Sequence, residues 1–285
     1  MNLSDKGSIK AFLEKQNFVF KKSLGQNFLI DSSVAPRMAE FAADENTGVI
    51  EIGPGAGVLT RELALRAKRV VAIEIDENLR PVLSKTLADI NNAEVVFGDV
   101  LKTDLKELIA GKLSDCARVT VCANLPYYIT SPVIMKLLKE KLPVKSITVM
   151  VQKEVAERLC AKAGGKNAGA ITAAVRYFAE PKLLFGVPKT AFLPAPKVDS
   201  AVITLNVLAA PPVNVQNVEF FFQTVNGCFM LRRKTAVNSL SSALGIDKQR
   251  LKEVFCDLGI DENARGETFD IKTLAALADK LCGTA

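Results

Sequence analysis

From Gly48 to Val151 five short runs of nearly continuous apolar residues, rich in valine and isoleucine, are separated by four stretches with helical apolar spacing. The runs are Gly48–Gly53, Arg69–Ile75, Glu94–Phe97, Arg118–Ala123 and Ser146–Val151. Strands that are apolar throughout, rather than alternating, are covered on both faces. The intervening stretches, Val58–Ala67, Glu77–Ile90, Thr103–Leu113 and Ser131–Lys141, supply the cover. Strands alternating with helices predict an α/β fold with a mostly parallel sheet.

The order changes after Val151. A helical stretch, Lys153–Ala163, meets a glycine-rich loop, Gly164–Gly169, and then a helix around Ala170–Phe178. Two strand-like segments follow, Lys182–Val187 and Val198–Val207, joined by a proline-rich stretch with no helix between them. That connection predicts an antiparallel hairpin at the sheet's edge. Ala209-Ala210-Pro211-Pro212 breaks the composition, and beyond it Val218–Leu231, Thr235–Ala243, Lys248–Leu258 and Ile271–Leu281 all have helical spacing. The expected organisation is a basic arm (1–22), an α/β domain (23–208) and a small all-α domain (209–285).

Two compositional facts narrow the chemistry. The 285 residues include no histidine, which removes Ser-His and Cys-His nucleophile pairs, most zinc sites and the commonest general acid-base. The six cysteines form no C-x-x-C pair, so neither a zinc site nor a disulfide framework is expected, and no metal. The net charge of +6 is uneven: residues 1–37 carry six basic and three acidic side chains, and residues 153–208 eight and four. Such an excess suits a polyanionic partner, although lysines also simply keep surfaces solvated. Lys21, Lys22, Lys153, Arg158, Lys166 and the run Arg232-Arg233-Lys234 are the candidate phosphate contacts. No signal-peptide core or membrane-length apolar run is present, so a cytoplasmic protein is expected.

The strand ends carry the functional signal. The first runs into Glu51-Ile52-Gly53-Pro54-Gly55-Ala56-Gly57, the second ends at Glu74, the third is followed by Asp99, and the fourth closes on Asn124. Glycines let a ligand approach the backbone at the carboxyl edge of a parallel sheet, and a carboxylate 21 positions after Gly53 can accept both hydroxyls of a ribose. The G-x-G-x-G spacing differs from the G-x-G-x-x-G of dinucleotide folds, which favours a nucleoside or sulfonium ligand over a dehydrogenase cofactor. Taken singly, each residue is an ordinary turn glycine, helix cap or solvated carboxylate; four on one rim point to a nucleoside pocket. Asn124-Leu125-Pro126-Tyr127 then fits methylation of an exocyclic amine. An amide oxygen and a backbone carbonyl accept its N–H bonds, Pro126 stiffens the loop, and Tyr127 offers a stacking ring.

With Lys22–Leu29 (KSLGQNFL), Ala72-Ile73-Glu74-Ile75-Asp76, Gln152–Val155 and Phe192–Ser200 (FLPAPKVDS) added, the chain resembles the ribosomal RNA adenine dimethyltransferases, the small-subunit enzymes associated with kasugamycin sensitivity. The resemblance implies a Rossmann-like methyltransferase sheet with S-adenosylmethionine held by Gln26, Asn27, Leu29, Glu51, Gly53, Gly55, Glu74, Ile75, Asp99, Val100 and Asn124. It implies that Asn124 and the Leu125 carbonyl receive the adenine amine, with Tyr127 and Phe192 sandwiching the base; locally, Phe192 also reads as an apolar plug. The implied partner is small-subunit (16S) ribosomal RNA in immature subunits, dimethylated at two adjacent adenosines by a monomeric enzyme. The rivals are a large-subunit RNA methylase of the macrolide-resistance type and a non-catalytic nucleic-acid-binding factor on the same fold.

Overall fold

The computed structural model describes residues 6–16, 18, 20, 21, 24–165 and 167–282. Lys22 and Lys166 lie outside them. The strands are β1 (Phe28–Leu29), β2 (Thr47–Ile52), β3 (Arg69–Glu74), β4 (Ala93–Phe97), β5 (Arg118–Asn124), β6 (Ser146–Gln152), β7 (Ala179–Val187), β8 (Phe192–Leu193) and β9 (Ser200–Val207). The α-helices are α1 (Lys6–Lys15), α2 (Val34–Ala42), α3 (Val58–Ala64), α4 (Arg80–Thr86), α5 (Leu105–Lys112), α6 (Thr130–Lys139), α7 (Lys153–Cys160), α8 (Ala170–Phe178), α9 (Val218–Met230), α10 (Ala236–Leu244), α11 (Lys248–Asp257) and α12 (Ile271–Cys282).

Seven strands form the main sheet in the order β4-β3-β2-β5-β6-β9-β7. The pairings from β4 through β6 are parallel, and β9 runs antiparallel to β6. All six residues of β2 are buried, as its continuous apolar character requires of a central strand. The two strands joined without a helix do lie at one edge, with β9 inserted between β6 and β7. Its register sets Ser200 opposite Gln152, beside the strand that precedes it in the sheet order.

Local chemistry moves several helix boundaries. The expected helix Glu77–Ile90 splits into a 3-10 turn, Glu77–Leu79, and α4, because Asp76 accepts from the Asn78 N–H and Pro81 enters the first turn. The expected start at Thr103 shifts to Leu105, because Asp104 accepts from the Glu107 N–H as an N-cap. Residues read as a basic arm include a helix: Ile9, Phe12 and Leu13 of α1 are buried in the same apolar cluster as α2 and α3.

The chain divides into two compact units, residues 1–156 with 182–207, and residues 157–181 with 208–285. The linker at residues 209–212 therefore follows the last of three crossings. In the helical unit, Tyr177 of α8 packs on Phe221 of α9 with ring centroids 5.1 Å apart, and Phe178 stacks on Phe222 at 5.5 Å. Helices α9 and α10 approach closely at Gly227, where a Cβ would lie 3.1 Å from Leu240 and 3.2 Å from Ala243. Asn217, Thr235 and Asp247 cap α9, α10 and α11, and Gly245 closes α10 in the left-handed conformation.

Candidate active site

The carboxyl ends of β2, β3 and β5, with the turn after β4, open into a cavity of about 330 Å³. All eleven residues proposed from the sequence as cofactor ligands line it. Leu125, Pro126, Tyr127 and Phe192 line the same cavity. The backbone turns after β2 through Gly53 (φ 70°), Gly55 (φ 58°) and Gly57 (φ 86°), all left-handed, where side chains are strained. A Cβ at Gly53 would meet nothing within 4 Å, so its missing side chain leaves open room at the sheet edge. At Gly55 a Cβ would press on the Phe28 ring at 3.2 Å.

Glu74 ends β3 almost fully buried. Its Oε1 accepts from the Asp76 N–H (2.8 Å) and its Oε2 from the Gly55 N–H (3.3 Å). Burial pushes its carboxyl above the usual range, and those two N–H donors offset part of that rise. Glu51, in β2, is buried more completely, and neither carboxylate oxygen has a hydrogen-bond partner. Burial, with the Glu74 charge adding to it, pushes Glu51 up to about 8. The Thr60 hydroxyl opposes the rise, but no hydrogen bond of normal geometry joins it to Glu51. A buried acid without a hydrogen-bond partner beside an open glycine turn gains its charge most readily next to a cationic ligand, which suits such a ligand better than an anionic one.

Asp99 is half-buried and caps its own turn, its Oδ1 accepting from the Leu101 N–H at 2.9 Å. Ile75, exposed, and Val100, buried, put apolar side chains near it on the cavity wall. Asn124 closes β5, and its Nδ2 donates to the carbonyl of Asn27 at 3.2 Å. A carbonyl only accepts, so the amide nitrogen must face Asn27, which leaves the oxygen of this cavity-lining residue to act as an acceptor. Asn27 is itself held, its Nδ2 donating to the Gly25 carbonyl at 3.1 Å. The Leu125 N–H is tied to the Met150 carbonyl at 3.2 Å, which anchors the loop to β6.

Two rings flank this amide. Phe192 is buried in β8, whose antiparallel pairing with β1 sets Leu29 opposite Phe192. Tyr127 is half-buried, and its hydroxyl shares a 2.8 Å hydrogen bond with Ser200 Oγ. Burial raises the Tyr127 phenol, so it stays protonated and able to make that bond. Ser200 is the partner that sequence reasoning missed, though it ends the quoted FLPAPKVDS segment. Tyr128, exposed at the cavity with its ring packed on Gly25, was also missed.

The proposed phosphate contacts fare unevenly. Lys21 does not present a free ammonium: its Nζ lies 2.7 Å from Asp76 Oδ1. Lys153 and Arg158 sit on α7, and Arg158 has partners of its own within the fold. Arg232, Arg233 and Lys234 are exposed on the turn between α9 and α10, next to exposed Met230 and Leu231. Among the described residues, no group of Cys, Asp or Glu side chains is placed to hold a metal ion. No described helix is long and apolar enough to cross a membrane.

Residues 17–279 match the family described as ribosomal RNA adenine dimethylase. The chain is 49% identical over 276 residues to the ribosomal RNA small subunit methyltransferase A of Bacillus licheniformis, covering 95% of this chain and 94% of the relative. It is 48% identical over 284 residues to the protein of the same name from Geobacillus kaustophilus, covering 98% and 97%. Among solved structures it resembles a dimethyladenosine transferase from Plasmodium falciparum with a TM-score of 0.72 and 26% identity, over 87% of this chain and 95% of that one. The 23S rRNA methyltransferase ErmE superposes with a TM-score of 0.67 and 28% identity, over 90% of this chain and all of that one.

Proposed function

The chain belongs to the ribosomal RNA adenine dimethylase family, and from that premise we propose that it transfers methyl groups from S-adenosylmethionine to the N6 amines of two adjacent adenosines near the 3′ end of small-subunit ribosomal RNA. The observation that carries the chemistry is the Asn124 amide on the cavity wall, its nitrogen fixed on the Asn27 carbonyl and its oxygen left to accept. An exocyclic adenine amine is a poor nucleophile while its lone pair is delocalised into the ring. Asn124 Oδ1 and the Leu125 carbonyl accept its two N–H bonds and favour a pyramidal nitrogen. Tyr127 and Phe192 hold the base by stacking, each base-aromatic contact contributing about 1–3 kcal/mol.

The cofactor supplies an electrophilic methyl group on a sulfonium. Glu74 would accept from its ribose hydroxyls, Asp99 from its adenine amine with Ile75 and Val100 against the ring, the Gly53–Gly55 turn would leave room for the rest, and Glu51 would balance its positive charge. After transfer the amine carries an extra proton, which leaves to water, so no imidazole is required in a chain without histidine. Orientation of the two reactants supplies up to about 7–11 kcal/mol of the barrier. Lifting the base from a helix costs a few kcal/mol, which favours adenosines in loops or unfinished RNA.

The near full-length identity of 49% to a small-subunit methyltransferase, against 28% to a 23S enzyme, supports the small subunit over the large. The strand-end set, complete at one cavity, supports catalysis over a purely binding role. The exposed Arg232–Lys234 turn holds RNA phosphates, the enzyme acts as a monomer, and it works in the cytoplasm. The test is mass analysis of RNA from immature small subunits incubated with the chain and labelled S-adenosylmethionine. Label in N6,N6-dimethyladenosine is expected; label only in large-subunit RNA, or none, sinks the reading.

A further inference from the structure

The cavity wall opposite the strand ends comes from residues 24–29, a segment with little regular structure to hold it. Its only strand, β1, has two residues, and the ladder it forms with β8 is equally short. Yet this segment supplies the Asn27 carbonyl that fixes Asn124, and the Leu29 side chain on the cavity wall. Something other than a sheet must set its position.

Two contacts do so. Phe28 stacks with Phe18 (5.6 Å) and meets Phe20 (5.1 Å), an apolar contact that can slide. The other is directional. Asp76, its side chain fully buried, accepts from Lys21 Nζ at 2.7 Å through Oδ1 and from Gln26 Nε2 at 2.8 Å through Oδ2. The Gln26 amide is locked from its other end, its Oε1 accepting from the Lys21 N–H at 2.9 Å. Asp76 Oδ1 also accepts from the Asn78 N–H at 3.2 Å, and the Asp76 N–H donates to Glu74 Oε1. One residue thus grips Lys21, Gln26 and the carboxylate expected to meet the ribose. Burial pushes the Asp76 carboxyl up, but the Lys21, Gln26 and Asn78 donors together outweigh it and hold the group below its usual range. Asp76 itself does not line the cavity.

We propose that Asp76 is a positioning residue: through Lys21 and Gln26 it sets the segment carrying Asn27 and Leu29 against Glu74, so that ligand affinity in the cavity depends on a carboxylate outside it. Gln26 and Lys21 then act on Asp76 rather than on the cofactor or on RNA phosphate. The inference rests on the S-adenosylmethionine reading of the cavity.

The test is calorimetric titration of the full chain with S-adenosylhomocysteine, alongside hydrogen exchange of the amides of residues 24–29. D76N is expected to weaken binding about tenfold, the equivalent of roughly 1.4 kcal/mol, and to speed that exchange. Lys21→Met, at a half-exposed side chain, is expected to do the same in part, with Lys21→Arg restoring affinity. In a D76N background the Lys21→Met change is expected to add little, as residues acting through one contact are non-additive. Full affinity in Lys21→Met, or equal losses from Lys21→Met with and without Asp76, overturns the proposal. If the unaltered chain does not bind S-adenosylhomocysteine, the underlying reading fails and takes this one with it; binding that is unmoved by D76N sinks this one alone.

Discussion

At the sheet rim the acidic groups Glu51 and Glu74 are buried, and the Asn124 amide is oriented by a backbone carbonyl. In the helical unit Arg232, Arg233 and Lys234 stand exposed on a turn. A buried group interacts strongly over short distances and only in one geometry, whereas an exposed cation is screened within about 8 Å at physiological salt. On the proposed reading the rim would discriminate one atom of one base, and the turn would only attract a polyanion. Loss of one rim group should be severe and specific; loss of the turn should be mild, and should vary with salt.

The strongest attack on this contrast is Asn124→Ala. Methyl transfer is expected to fall by at least about 10²–10³, as for loss of a preorganised polar group, while S-adenosylhomocysteine affinity changes only a few-fold. Near-normal turnover would remove Asn124 from the chemistry. Tyr127→Ala should cost about 1–3 kcal/mol in RNA-dependent turnover through lost stacking. Ser200→Ala, which frees the Tyr127 hydroxyl, should move turnover the same way but less, read as kcat/KM on one RNA hairpin.

Glu51 sharpens the contrast through pH. Its folded value of about 8 lies above its ordinary value of 4.5, so the folded ligand-free chain keeps a proton that the unfolded chain releases between those limits. Stability should therefore decline as pH rises from about 4.5 through 8. Glu51→Gln is expected to raise the thermal midpoint of the ligand-free chain more at pH 8 than at pH 5; equal shifts at both would show that the carboxyl titrates normally. The smallest effect belongs to the turn. Replacing Arg232, Arg233 and Lys234 by alanine should lower the slope of log affinity against log salt by up to about 2, at roughly 0.7 per phosphate contact on single strands. An unchanged slope would make the turn structural.

The rim was readable in the sequence because each strand is a continuous apolar run and its last residue breaks that run with a glycine, an acid or an asparagine. The edge position of β7 and β9 was readable for a related reason: no helix separates them. The N-terminal wall was not. Two residues of β1 carry no period, and Lys21 looks like a free cation until Asp76, 55 positions away, is folded against it. Nor did composition show that residues 157–181 belong with the helices. Their allegiance is set by Tyr177 and Phe178 packing on α9, a contact between distant segments that no local pattern announces.

The orientation of Asn124 also makes the site a counter. With its nitrogen committed to Asn27, the side chain can only accept, so on the proposed reading Asn124 and the Leu125 carbonyl together would sense how many hydrogens the amine still has. A fresh adenine offers two, a monomethylated one offers one, and a dimethylated one offers none. Each turnover thus strips the product of one tie to the pocket, and the finished base has no N–H left to give. A group that donated here could not tell these three states apart in this way.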